Sequence, residues 1–222
     1  MSNALRDALR EVVGAAALLP HQELSSWGWE GGTPGAVVAP TSVEELAALM
    51  GRASEEGWRI VPAGLGSWMA GGGPVEGEVV VSVSRLQGLE EYEPADLTFT
   101  ARAGTPVAEL EEATRAQGQW LPLDPPGSRK GSLGALAALG LAGPLRAGFG
   151  TPRDHILGLT VVSGDGRVLR WGGRVVKNVA GFDMTRLSIG SWGTLGIVTS
   201  LSARLFPLPA REVSLLFRAP DA

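Results

Sequence analysis

The chain predicts an α+β fold with a parallel strand–helix–strand start and a mainly antiparallel remainder, on three observations. First, Ala36-Val37-Val38-Ala39 is a short apolar run closed by Pro40, and Ser42-x-x-Glu45 has capping-box spacing for a helix to about Glu56. The apolar run Trp58-Arg59-Ile60-Val61 follows, which reads as the end of a buried strand, so two parallel strands flank a helix. Second, Gly88 to Tyr92 and Leu97 to Ala103 alternate apolar and polar residues around Pro94-Ala95-Asp96, the pattern of an antiparallel pair. Third, glycine clusters fall at the junctions between these regular segments rather than inside them.

In chain order, Arg6, Asp7, Arg10 and Glu11 interleave before Val12 to Leu19, which marks an amphipathic surface helix rather than a signal peptide. The tryptophans of the loop Ser25 to Gly32 are read as packing on a neighbouring lobe or a partner. Glu78 to Val83 is the next strand. Thr105 at the cap and Pro106 at the first helical position open a helix running to about Gln117, stopped by Gly118. Gln119 to Leu123 returns as strand, and Ser132 to Gly140 is a short helix of small residues. His155 to Ser163, Gly164-Asp165-Gly166 and Arg167 to Trp171 form a hairpin. Asp183 to Leu187 is one helical turn or two. Gly196 to Phe206 is the last clear strand, ended by Pro207-Leu208-Pro209. Val213 to Phe217 is read as an added edge strand, and Ala219 to Ala222 as a frayed tail.

Composition removes several classes of function. A net charge of -4 offers no basic face for nucleic acid. The chain has no cysteine, which excludes disulfides, iron–sulfur ligation, thiolate zinc sites and a cysteine tether for a cofactor. Its 2 histidines, His21 and His155, lie too far apart in sequence to suggest a metal site. No stretch reaches the roughly 18 apolar residues of a membrane span, and the expected location is the cytoplasm. No Gly-x-Ser-x-Gly elbow, His-Glu-x-x-His or calcium-loop spacing occurs. Glycine is abundant, 32 of 222 residues, without low-complexity repetition, so the excess belongs to ordered turns.

The richest cluster is Pro62-Ala63-Gly64-Leu65-Gly66-Ser67-Trp68-Met69-Ala70-Gly71-Gly72-Gly73. Glycines there let consecutive backbone N–H groups point into one concavity that suits a phosphate. Met69 stands where a third glycine of Gly-x-Gly-x-x-Gly would fall, and no P-loop spacing is present. Taken alone, the segment is equally a flexible turn between strands. Two more clusters, Asp124 to Gly134 and Gly190 to Gly196, give it company, since three separate loops can line one elongated ligand. The helix after Ser132 would aim unpaired N–H groups and the positive end of its dipole at the same ligand.

These loops in this order, with Gly172 to Asp183 and then Gly190-Ser191-Trp192-Gly193-Thr194-Leu195-Gly196, resemble the FAD-binding domain of the vanillyl-alcohol oxidase / p-cresol methylhydroxylase flavoproteins. Within that superfamily they look like the smaller flavin-domain subunits of bacterial glycolate oxidases. The resemblance implies an α+β, two-lobed domain of the PCMH/VAO type with FAD between the lobes. Residues 1–34 would be an N-terminal helix and loop, 35–86 the first FAD-binding lobe, 87–210 the second, and 211–222 a C-terminal strand and tail. It assigns Pro62, Ala63, Gly64, Leu65, Gly66, Ser67 and the adjoining Trp68 to a first pyrophosphate loop, with Ala63 where an arginine is common. Asp124, Pro125, Ser132, Leu133 and Gly134 fall in the second loop, where Ala135 replaces a second glycine. Gly143 matches the ribityl and ring approach, and Ile197 and Val198 match backbone contacts near a ring. Members with covalent flavin use a histidine or cysteine in these loops; this chain has neither there, so its FAD is expected to be noncovalent. The chain stops 13 residues after Pro209, and the substrate cap found in members that act on a substrate is expected to be absent.

No residue is assigned to catalysis. Oxidising a 2-hydroxy acid needs a base and a cation for the carboxylate. His155 is read as structural, and Arg146 and Arg153 serve as well in ion pairs as at a ligand. Lys177-Asn178 ties its loop either to the core or to a partner subunit. The expected function is a non-autonomous FAD-binding subunit of a glycolate-oxidising complex. The resemblance implies a larger catalytic flavoprotein and an iron–sulfur subunit as partners. The alternatives are a self-sufficient FAD oxidoreductase and a flavin-free scaffold that keeps the fold.

Overall fold

Val37, Val38, Val79, Val80 and Val81 are wholly buried, and runs apolar on both faces are stable only inside a covered sheet. In the computed structural model, which describes residues 3–30, 32–173 and 182–217, they form two adjacent strands of a three-stranded parallel sheet. Strand β1 (Ala36–Val38) and β2 (Ile60–Ala63) both pair with β3 (Val79–Ser82), which lies between them. The strand–helix–strand unit is therefore present, but its strands are not neighbours. β2 is also a partly exposed edge strand rather than a buried one, which is why Pro62, lacking an N–H, is accommodated within it.

Helix α1 (Asn3–Val13) buries Leu9 and Val13, and α2 (Val43–Glu56) buries Leu46, Leu49, Met50 and Ala53. Ser42 Oγ caps α2 by accepting the Glu45 N–H at 3.1 Å. The returning carboxylate of Glu45 accepts from the N–H and hydroxyl of Thr41 at 2.8 and 2.9 Å, and these bonds hold it below the usual carboxylate range.

The second sheet is antiparallel, in the order β4 (Leu89–Glu93), β5 (Thr98–Arg102), β9 (Ile197–Arg204), β7 (Ile156–Val162), β8 (Val168–Gly172). Its apolar face carries Phe99, Ala101, Leu159, Val161 and Leu201, in one contiguous core with Leu46 and Leu49 of α2. Helices α3 (Val107–Arg115) and α4 (Leu133–Leu139) add Leu110 and Leu136 to that core. A two-stranded ribbon pairs β6 (Gln119–Trp120) with β10 (Phe206–Pro207). Between α4 and β7 lie two single turns, α5 (Arg146–Phe149) and α6 (Pro152–His155); α7 (Met184–Ser188), capped by Asp183, precedes β9.

Four expectations need correction. Thr105 does not cap α3: its hydroxyl accepts the Gly88 N–H at 2.9 Å, tying the end of β5 to the start of β4, while α3 begins after Pro106 without a side-chain cap. The strand expected over Gln119 to Leu123 is cut to two residues, because Phe206 and Pro207 offer only two partners. β9 ends at Arg204 rather than Phe206, since Phe206 leaves to pair with Trp120. Residues 211–217 form no strand and are exposed; Pro207 and Pro209, which lack N–H groups, carry the chain off the ribbon before them. The expected helical turn at Asp183 to Leu187 is present, whereas 174–181, including Lys177-Asn178, lie outside the described residues.

His155 lies in the turn α6, not on a strand. Its ring is buried, with Nε2 2.9 Å from the Phe149 carbonyl and Phe206 5.5 Å away, in a cluster where Trp120 and Phe149 meet edge-on at 5.3 Å. Burial pushes its pKa below the ordinary histidine value, so the folded chain refuses a proton that the unfolded chain accepts. Its contribution to stability is complete above about pH 6.5 and is lost as the pH falls below it. Thermal unfolding midpoints should thus decline between pH 7 and pH 5.5, and His155→Gln should flatten that decline. Phe99→Ala, at a site with 0% exposure, should cost about 3–5 kcal/mol in chemical denaturation, a cavity penalty that a surface site would not show.

Candidate functional site

Strand β2 ends at Ala63 and the chain opens into the glycine-rich loop 64–73, which descends onto the first turn of α4. The approach is so close that a methyl on Gly64 would overlap the Ser132 hydroxyl and lie 3.1 Å from the Ala135 methyl. α4 is in turn pressed on the sheet: a Cβ at Gly134 would lie 2.6 Å from that of Ala103. The third loop, 190–196, closes the ring. Gly190 and Trp192 donate their N–H groups to the Ala137 and Ala138 carbonyls at 3.1 and 2.8 Å, and a Cβ at Gly193 would sit 2.9 Å from Pro62. From the second loop, Pro126 accepts the Trp68 indole N–H at 3.0 Å and the Lys130 carbonyl accepts the Ser67 hydroxyl. All three bends converge.

Between them is a cleft of about 90 Å³ that opens to solvent. Eleven of the sequence-assigned residues line it: Pro62, Ala63, Gly64, Leu65, Gly66, Ser67, Trp68, Ser132, Gly134, Ile197 and Val198. Asp124, Pro125, Leu133 and Gly143 lie outside its walls. Leu133 turns into the core, and Pro125 is buried. The Asp124 carboxylate accepts the Leu145 N–H at 3.2 and 3.3 Å, and a side chain on Gly143 would run into Asp124, so these residues brace the second loop from behind. The structure adds Met69, Val83, Gly131, Ala135, Ala138, Leu139, Trp192, Gly193 and Gly196. Of these, Met69, Gly131, Trp192, Gly193 and Gly196 fall in the three glycine clusters of the sequence; Val83 and Leu139 carried no sequence signal beyond being apolar.

The hydrogen-bond donors are distributed differently from expectation. The first turn of α4 does not offer unpaired amides, because Leu133 donates to Thr105 O, Gly134 to Ala103 O, Ala135 to Ser132 Oγ and Leu136 to Ser132 O. These bonds are made as the helix is pulled down onto the end of β5. The backbone N–H groups of Leu65, Gly66, Ser67 and Trp68, by contrast, find no protein acceptor among the described residues. The available donors are those of the strand-to-loop turn, together with the Gly131 and Ser132 N–H groups just before α4, which line the same cleft and likewise find no protein acceptor among the described residues. No wall of the cleft is ionisable, so among the described residues it holds neither a base nor a cation. Among the described residues the lining offers amides and apolar contact. Unpartnered amides beside an apolar slot are a donor set that fits a dinucleotide diphosphate joined to flat rings.

Comparison with known proteins agrees. Residues 34–172 match the family model described as FAD binding domain. The glycolate oxidase subunit GlcE of Escherichia coli (strain K12) is 43% identical over 145 residues, covering 65% of this chain and 41% of that protein. The glycolate oxidase subunit GlcD of Bacillus subtilis (strain 168) is 35% identical over 184 residues, covering 82% and 39%. Among solved structures, an alkyldihydroxyacetonephosphate synthase superposes with a TM-score of 0.69 at 26% identity, covering 81% of this chain and 33% of that one. The chain thus spans about two fifths of the length of these curated relatives, 41% and 39%. No described helix is long and apolar enough to cross a membrane. With a family model covering most of its length and a cleft of matching chemistry, the chain belongs to the FAD-binding domain family of PCMH-type flavoproteins, related to glycolate oxidase subunits, and FAD is its cofactor.

Proposed function

We propose that this chain is the FAD-binding part of a glycolate-oxidising complex, holding the flavin noncovalently while a larger flavoprotein subunit carries out most of the 2-hydroxy-acid oxidation. The observation that carries this reading is the set of unpartnered amides at Leu65 to Trp68 in an uncharged cleft. Those amides would hold the diphosphate, and Val83, Leu139, Ile197 and Val198 would supply apolar wall to a ring. Bound FAD supplies a two-electron acceptor. The chain's own residues bind and shield it, and in this reading the proton of the hydroxy acid is taken by a group outside the described cleft lining. An iron–sulfur subunit as further partner, a cytoplasmic location and a division into lobes at 35–86 and 87–210 belong to the same reading. Asp124, Pro125, Leu133 and Gly143 serve in it by supporting the loops.

One observation favours a flavin-free scaffold as the second reading: the α4 amides expected to meet the diphosphate are already bonded within the protein. The two readings separate on titration of apoprotein with FAD. We expect saturable binding and a flavin absorbance spectrum after gel filtration, and a Gly64→Val chain, whose added bulk strikes Ser132 and Ala135, should bind at least about tenfold more weakly, roughly 1.4 kcal/mol. A colourless chain that takes up no FAD would establish the scaffold instead. In a pull-down from the native host, a larger flavoprotein should be retained; recovery of the chain alone would remove the complex from the proposal.

A further inference from the structure

The cleft adjoins a second hollow, and Trp192 forms part of both walls. Its backbone has φ +57°, and Leu97 is the only other non-glycine residue with positive φ among the described residues. Bulky side chains disfavour this region, and its neighbours Gly190 and Gly193, at +81° and +76°, show what the turn would ordinarily take. The turn is held there by the bond from the Trp192 N–H to Ala138 at 2.8 Å. The indole lies against the glycine run of the first loop, where a Cβ on Gly72 would come 3.1 Å from its ring, yet the residue remains 46% exposed. The two other tryptophans lining these spaces are tied down: Trp68 donates to Pro126 and Trp29 to Val75, at 3.0 and 2.9 Å. The Trp192 indole N–H has no such partner among the described residues. A large ring is thus retained on backbone that suits glycine, seated on a glycine bed, and half open to the binding spaces.

We infer that Trp192 stacks on a planar heteroaromatic ring of the bound dinucleotide and so forms a binding subsite beyond the diphosphate loop. The inference rests on the FAD reading above. Its chemistry is that of a π-face, which adenine and isoalloxazine both present. The test is calorimetric titration of wild-type, Trp192→Ala and Trp192→Phe apoproteins with FAD, ADP and FMN, alongside ligand-free thermal unfolding. We expect Trp192→Ala to weaken FAD by about 5- to 150-fold and Trp192→Phe to restore binding to within about threefold, with ligand-free midpoints of the two variants alike. A matching loss with ADP places the adenine on Trp192, and one with FMN places the isoalloxazine there. Wild-type tryptophan emission should be quenched by FAD more than that of Trp192→Phe, a readout that survives if the alanine variant does not fold. Equal FAD affinity in wild type and Trp192→Ala would overturn the stacking and leave the cofactor reading intact. Equal weakening by both variants with lowered midpoints would overturn it in favour of packing on Gly71 and Gly72. A wild-type chain that binds none of the three ligands would instead sink the cofactor reading itself.

Discussion

The seating of α4 on the end of β5 is the contact on which the rest of the site depends. Gly134 lets the helix meet Ala103 without an intervening side chain, and the carbonyls of Ala103 and Thr105 then take the N–H groups of Gly134 and Leu133. At its other end the helix accepts from Gly190 and Trp192, and along its side it receives Gly64. Each bond contributes only about 1 kcal/mol net, but a displaced helix would lose several together and leave buried polar groups unpaired. A seven-residue helix therefore sets the relative positions of three loops that are distant in the chain.

This arrangement divides the polar groups into two sets. The amides of Leu133 to Leu136 are spent on holding the loops together, and those of the β2 turn and of Gly131 and Ser132 are left over. The ionisable groups stand elsewhere, as surface pairs such as Arg59 with Glu76 and Glu78, and Arg129 with Glu111 at 2.8 Å. Pairs this exposed contribute little to stability and keep charge out of the cleft. Free amides and apolar walls, with no titratable group among the described lining residues, are a donor set suited to a charged, flat molecule. That character agrees with a chain that matches the FAD binding domain model over residues 34–172.

Much of this was legible from the residues alone. The period-2 alternation of β4 and β5, the cap at Ser42 and the hairpin around Gly164 to Gly166 are local signals, decided within a few residues of chain. The glycine clusters marked the three bends for the same reason, since tight approach and positive φ demand that residue type wherever it falls. Local signals failed where a distant partner competed. Thr105 reads as a helix cap but is taken by Gly88, and Phe206 reads as strand continuation but is drawn to Trp120.

Sequence by itself thus determined the fold class, the family and the glycine clusters that converge on the cleft, because backbone geometry and glycine spacing are written locally. Tertiary structure alone decided that β3 inserts between β1 and β2, that Val83, Leu139 and Trp192 complete the cleft, and that the free donors belong to the β2 turn and to Gly131 and Ser132 rather than to α4. Which amide stays unbonded depends on what packs against it, and that is a property of the assembled molecule rather than of any one segment.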